Sequence, residues 1–168
     1  IDNTVIAYET PIFFTRERPI EHISIEDEFS LLLVDSGIKS HTSDVVNDVR
    51  NNWLESKVAL EIMFSQIGDI TRKARASLSS GNIPALGVLM LENHQLLKKL
   101  DVSNNSIDRI VDAAVQAGAY GAKLSGAGRG GHVICLVDQG TQAQVREKLA
   151  DIGASNIIEC LISGTIQG

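Results

Sequence analysis

The spacing of apolar residues divides this chain into a strand-rich start, a helical middle and a mixed end. Residues 4–8 and 11–15 are short β-branched and aromatic runs parted by Glu9-Thr10, which predicts two strands able to pair as a hairpin. Residues 16–28 are polar, contain Pro19 and alternate at Ile20, Ile23 and Ile25, so they read as a strand or an irregular edge. Leu31 to Val34 is an unbroken apolar run, a buried strand ended by Asp35-Ser36-Gly37. From Thr42 the period becomes helical: Val46, Val49, Trp53, Leu60, Met63, Ile67 and Ile70 share a face that continues to Ala74 and Leu78. That stretch is too long for one average helix, and a break is expected near Ser56 or Gly68. Ser80-Gly81-Asn82 closes it. Ile83, Leu86, Met90, His94 and Leu97 mark a further helix over about 84–100, with Pro84 in its first turn.

The remaining third is mixed. Asn105-x-x-Asp108 is expected to cap a helix carrying Ile107, Ile110, Val111 and Ala114 and ending at Gly118 as C′. An extended segment from Gly121 then enters a loop with glycine at 126, 128, 130 and 131, and the apolar run 133–137 leaves it as a strand. Thr141-x-x-Gln144 has the form of a capping box for a last helix through Leu149 and Ile152, stopped by Gly153; residues 156–162 form the final strand. The order helix, strand, loop, strand, helix, strand, without an internal repeat, predicts an α+β sandwich of ferredoxin-like type with additional helices, built as one domain.

The glycine loop is the first candidate for chemistry. Glycines this dense are tolerated where φ is positive or backbones approach closely. Exposed N–H groups between two strands can form an anion-holding nest. The same glycines can equally serve a sharp turn or bulge, and the spacing is neither the P-loop nor the dinucleotide fingerprint.

Composition narrows the class. The 168 residues, 43% hydrophobic and 21% charged, are those of a globular protein with a real core. A net charge of -6 and the lack of a Lys/Arg-rich run argue against nucleic acid as the main partner. Cys135 and Cys160 lie in apolar strand-like runs and read as reduced thiols of a cytoplasmic protein. The histidines at 22, 41, 94 and 132 show no ligand spacing with them, so no metal site is expected in this chain. No apolar run reaches membrane-spanning length. The start Ile1-Asp2-Asn3 lacks an initiator Met, which leads to the expectation of a piece of a longer protein.

Four segments in order carry a resemblance. Lys123-Leu-Ser-Gly-Ala-Gly-Arg-Gly-Gly131 resembles the third signature of the GHMP small-molecule kinases, and Ile1-Asp2-Asn3-Thr4-Val5 resembles the end of the Pro-Ser-Gly-x-Asp-Asn segment of their mevalonate kinase branch. The stretch 35–50, in which Thr42 and Arg50 fall on family positions, and Glu92-Asn-His-Gln-Leu-Leu97 followed by Val102-Ser103 are similar to the same family. The resemblance implies the C-terminal domain of a GHMP kinase, with residues 1–34 as strands that would join an N-terminal domain. It implies ATP and Mg2+ as cofactors and transfer of the γ-phosphoryl to the C5 hydroxyl of mevalonate on the way to isoprenoid precursors. The main ATP loop, a lysine acting on the hydroxyl and a magnesium-binding glutamate lie upstream in the family. The chain alone is therefore expected to be inactive, and a homodimer is left open.

The resemblance places Asp2 at the attacking hydroxyl as the catalytic carboxylate, and Ser125, Gly126, Ala127, Gly128, Arg129 and Gly130 beside phosphates and substrate. Arg129 stands where many members have glycine; it either adds charge near the phosphoryl group or turns outward to pair with an acid. Thr42 either hydrogen-bonds substrate or caps the long helix. His94, on an apolar face, reads as a satisfied core histidine, and His132 as a strand-edge side chain. The alternatives are another GHMP kinase, such as phosphomevalonate kinase, or a non-catalytic α+β ligand-binding module.

Overall fold

A computed structural model describes residues 11–154 and 156–163. Asp2 and the strand expected over residues 4–8 lie outside them. Two short strands, β1 (Ile12–Phe13) and β2 (Glu21–His22), pair antiparallel, Ile12 opposite His22. The partner of the 11–15 run among the described residues thus comes from the stretch read as a strand or an irregular edge, and it is a strand at Glu21–His22. Arg75 ties this ribbon to the helices: it pairs with Glu21 at 2.7 Å and lies over the Phe13 ring.

β3 (Phe29–Asp35), β4 (Gly121–Ser125), β5 (His132–Val137) and β6 (Ile157–Ile162) form one antiparallel sheet in the order β4-β5-β3-β6. Between β3 and β4 run four helices: α1 (Thr42–Glu55), α2 (Lys57–Ser79), α3 (Ile83–Lys99) and α4 (Asn105–Gln116). A fifth, α5 (Gln142–Asp151), joins β5 to β6. This is the ferredoxin-like arrangement with three helices added. β3 is internal, paired with both β5 and β6, so residues 30–34 of the stretch expected to join another domain have both edges occupied here.

Pleating sends alternate residues of each strand to opposite faces. Leu32, Val34, Val133, Cys135, Ala122 and Leu124 pack on one face against Ile107, Ile110, Val111 and Ala114 of α4 and Val145 and Leu149 of α5. Phe29 and Leu136, with the partly buried Leu31 and Ile134, pack on the other against Ile83, Leu86 and Met90 of α3. The break in the long helical stretch falls at Ser56 (φ −133, ψ 49), and α2 runs through Gly68 without interruption.

Three expected caps differ. The cap of α4 is Asn104, whose Oδ1 accepts from Ile107 N at 3.0 Å, because its extended φ of −152 puts the side chain over the first turn. Asn105 is already helical, and Asp108 is engaged elsewhere. At α5 the Thr141 side chain makes no cap; its N–H and hydroxyl instead donate to Asp138 Oδ1 at 2.7 and 3.1 Å. At α1 the cap position belongs to His41, without a side-chain bond, and Thr42 is the first helical residue.

Helix α3 lies directly on β4. A Cβ on Gly87 would overlap the Tyr120 carbonyl, and one on Gly121 would overlap the Gly87 carbonyl. No helix among the described residues is long and apolar enough to cross a membrane.

Gly87→Ala is expected to destabilise the protein by about 1–3 kcal/mol through forced separation of α3 from β4, read as a lowered urea midpoint with unchanged slope. Burial pushes the Cys135 thiol up to about 12, whereas Cys160 is half-buried. Thiol titration at pH 8 should therefore find Cys135 silent in the native protein and reactive only after denaturation, and fast labelling of both cysteines in the folded state would contradict the packing.

Candidate functional site

β4 and β5 are joined by the glycine loop, and three of its backbone positions are tied to neighbouring loops. Arg129 N–H donates to Val102 O at 2.7 Å, Gly131 N–H to Ile38 O at 3.0 Å, and Ser36 N–H to Gly131 O at 2.8 Å. The Ser40 hydroxyl donates to Gly128 O at 2.6 Å. The approach is so close that a Cβ on Gly128 (φ 105) would strike the Val102 carbonyl, and one on Gly130 the Ile38 carbonyl. Glycine here is required twice over at position 128, by backbone conformation and by space.

Arg129 resolves one of the two readings open in the sequence. Its guanidinium pairs with Asp48 of α1 and with Asp101, at 2.8 Å to the Asp101 carboxylate, and its Nε donates to Asp101 O at 2.9 Å. The Asp48 contact foremost, with Asp101 beside it, raises its pKa. The side chain thus turns toward acids and cross-links the loop to α1 and to the turn after α3. It does so from a left-handed backbone (φ 54), a conformation non-glycine residues rarely adopt.

What remains uncommitted is the first part of the loop. Gly126 is exposed and Ala127 half-buried, and the N–H groups of Gly126, Ala127 and Gly128 donate to no group among the described residues. Ser125, half-buried, is the last residue of β4, opposite His132. Thr42 lies two residues beyond Ser40, which touches the loop, and its exposed hydroxyl bonds to no described residue. The fold therefore brings Ser125, Gly126, Ala127, Gly128, Arg129, Gly130 and the start of α1 to one end of the sheet. Asp2 lies outside the described residues. A separate cleft of about 570 Å³ opens among Asp27, Phe29, Tyr120 and Asp138 at the other end, and none of the expected site residues lines it.

Behind the loop sits a polar cluster that sequence reasoning did not place in the site. His94 of α3, 1% exposed, accepts from Leu124 N–H through Nδ1 at 3.4 Å and lies 3.1 Å from Asp108 through Nε2. With Nδ1 accepting, the ring proton sits on Nε2 and is donated to Asp108. Asp108 also accepts from the Ser103 hydroxyl at 2.7 Å and pairs with Lys98 at 2.9 Å. Burial works against the Asp108 carboxylate, but the bonds from Lys98 and Ser103 hold its pKa below the usual value. Lys123, in β4, bends its Nζ to Leu124 O at 2.8 Å, and burial lowers its pKa. His94 was legible as a core histidine with satisfied nitrogens. Its partner, a backbone amide 30 residues on, was not. Among the described residues no group of three or more His, Cys, Asp or Glu is placed to hold a metal ion.

Comparison with known proteins agrees with this fold. Residues 74–155 match the family model described as GHMP kinases C terminal. The chain is 35% identical over 116 residues to the mevalonate kinase of Saccharolobus solfataricus, covering 69% of this chain and 37% of that protein. It is 32% identical over 163 residues to that of Thermococcus onnurineus, covering 94% and 48%. The crystal structure of L. major mevalonate kinase in complex with R-mevalonate superposes with a TM-score of 0.92 at 30% identity, over 98% of this chain and 52% of that one. The chain thus spans between 37% and 52% of the length of these relatives.

Gly128→Ala should release the loop from Val102 at a cost of about 1–3 kcal/mol, seen as faster proteolysis or amide exchange across residues 126–131. An unchanged exchange pattern would show that the Val102 contact does not hold the loop.

Proposed function

We propose that this chain, which belongs to the GHMP kinases and carries their C-terminal domain, supplies one wall of a mevalonate kinase active site. On this reading the γ-phosphoryl of ATP passes to the C5 hydroxyl of mevalonate. The observation that carries it is a glycine loop anchored on one side and open on the other. Its N–H groups at 126–128 are free of described partners, in a chain that follows mevalonate kinases over nearly its whole length.

Phosphoryl transfer depends on in-line positioning and on stabilising the charge on the transferring group. Backbone N–H groups suit that task because they bring partial positive charge without a side chain in the way, and a loop already tied down need not be ordered when the ligand arrives. ATP supplies the phosphoryl group; the free N–H groups of Gly126, Ala127 and Gly128 would take phosphate oxygens, with Ser125 at the edge and Gly130 giving the close turn. Arg129, paired with Asp48 and Asp101, holds the loop rather than the phosphate. The Thr42 hydroxyl is available to the substrate. Asp2 would accept the proton of the attacking hydroxyl, a general-base role. Magnesium is assigned no ligand in this chain. The main ATP loop and the cation site would belong to an N-terminal domain, and the enzyme would act in the cytoplasm, with a dimer left to be measured.

The whole protein, assayed with ATP against mevalonate, phosphomevalonate and homoserine, should prefer mevalonate; preference for either of the others would overturn the substrate assignment. Asp2→Asn should lower kcat about 10²–10⁴-fold with KM for ATP nearly unchanged. The 168-residue chain by itself should show no turnover.

A further inference from the structure

We infer that His94 is a positioning residue for the glycine loop: by accepting the Leu124 N–H on the outer edge of β4, it fixes the strand end from which the loop departs. Among the described residues β4 is an edge strand of its sheet, paired with β5 alone. The N–H and C=O of Leu124 both bond away from β5, the N–H to His94 and the C=O to Lys123. Outward-facing backbone groups of an edge strand need partners when buried. Leu124 is 1% exposed, so water cannot serve. A side chain from α3 takes the place that a neighbouring strand would otherwise fill.

The spacing of the two attachments of α3 to β4 supports the assignment. The first is the backbone contact of Gly87 with Gly121, the second the imidazole bridge from His94 to Leu124. Seven helical residues rise about 10.5 Å, and three strand residues span about 10 Å. Helix and strand therefore advance in step between the two contacts, and the second falls one residue before Ser125 and two before Gly126. Displacing the ring would let the end of β4 shift while its start stays pinned.

The hold depends on a neutral ring. The charged groups facing His94 are Asp108 from α4, Lys98 from its own helix and Lys123 from β4. Burial, the largest influence, lowers its pKa below the ordinary value of 6.5; Asp108 opposes this, and the two lysines add to it. A second proton would sit on Nδ1 and face the Leu124 N–H, replacing a bond with two opposed donors. A histidine depressed in this way contributes stability that is complete above its unfolded value and lost as pH falls through its folded one.

The test compares His94→Asn with His94→Gln in the whole protein. Asparagine places an amide oxygen near the Nδ1 position and keeps an acceptor for Leu124, but does not reach Asp108. Glutamine places an amide nitrogen near Nε2 and keeps the donor to Asp108, but leaves Leu124 without an acceptor. Amide exchange over residues 121–131 should rise about tenfold in His94→Gln, the effect of one lost buried bond, and stay within about twofold of wild type in His94→Asn. Corrected for intrinsic rates, wild-type exchange there should also rise as pH is lowered from 7 to 5, and that rise should vanish in His94→Asn. Equal exchange in the two variants, or a wild-type profile that follows His94→Asn at every pH, overturns the inference. The pH comparison alone decides it if His94→Gln does not fold.

The turnover arm rests on the kinase reading: kcat with mevalonate should fall in His94→Gln and recover in His94→Asn. Exchange that separates the variants in a protein inactive on mevalonate would leave the positioning role standing and remove the substrate assignment. Turnover that falls equally in both variants would remove the positioning role.

Discussion

The fold depends on how closely α3 lies against β4. Two glycines, Gly87 on the helix and Gly121 on the strand, remove the side chains that would hold the backbones apart. With α3 so near, the edge of β4 is covered rather than left for another chain to pair with, the usual hazard of an exposed strand edge. The same proximity puts His94 within reach of Leu124, and His94 brings Asp108, Ser103 and Lys98 with it. A steric permission at one end of the helix thus becomes a polar network at the other.

The glycine loop is built on a division of labour. Its second half is fastened, through Gly128, Arg129 and Gly131, to segments that follow β3 and α3. Its first half, at Gly126 and Ala127, keeps N–H groups without partners among the described residues. Arg129 is central to the fastened side, because one guanidinium reaches both Asp48 and Asp101. Exposed ion pairs are individually weak; this arrangement gains from one side chain serving two partners and a carbonyl, so that its ordering cost is met once.

The order of elements was readable because each announces itself by a distinct period, helical through α1–α4 and strand-like in the runs 31–34 and 133–137. The long helical stretch was expected to break near Ser56 or Gly68, and it breaks at Ser56; the stop at Gly118 was readable from its glycine. The caps were not. Asn104 and Asn105 are chemically identical and adjacent, and only backbone dihedrals choose between them; at Thr141, Asp138 competes for the same groups and wins. The glycine loop was recognisable as special from its composition, and its ties to Ile38, Ser40 and Val102 were not, because carbonyl contacts leave no trace in residue type. Asp48 and Asp101 resemble any other surface acids until Arg129 is seen between them. His94 was correctly read as satisfied and core-bound, yet its importance lies in which backbone amide satisfies it.

The ties that shape the loop also bear on how the molecule assembles. Ser40 and Gly128, joined by a hydrogen bond, stand 88 positions apart along the chain, with four helices between them. β3 likewise finds both its partners only after those helices have been passed. Contacts of such long sequence separation delay folding, since the intervening chain must be ordered before they form. The helices can gather early through local contacts, whereas the loop takes its shape only when the last strands close the sheet. The region read here as the active-site wall is accordingly expected to be the latest part of the domain to mature, and the first to reveal a chain that has not finished folding.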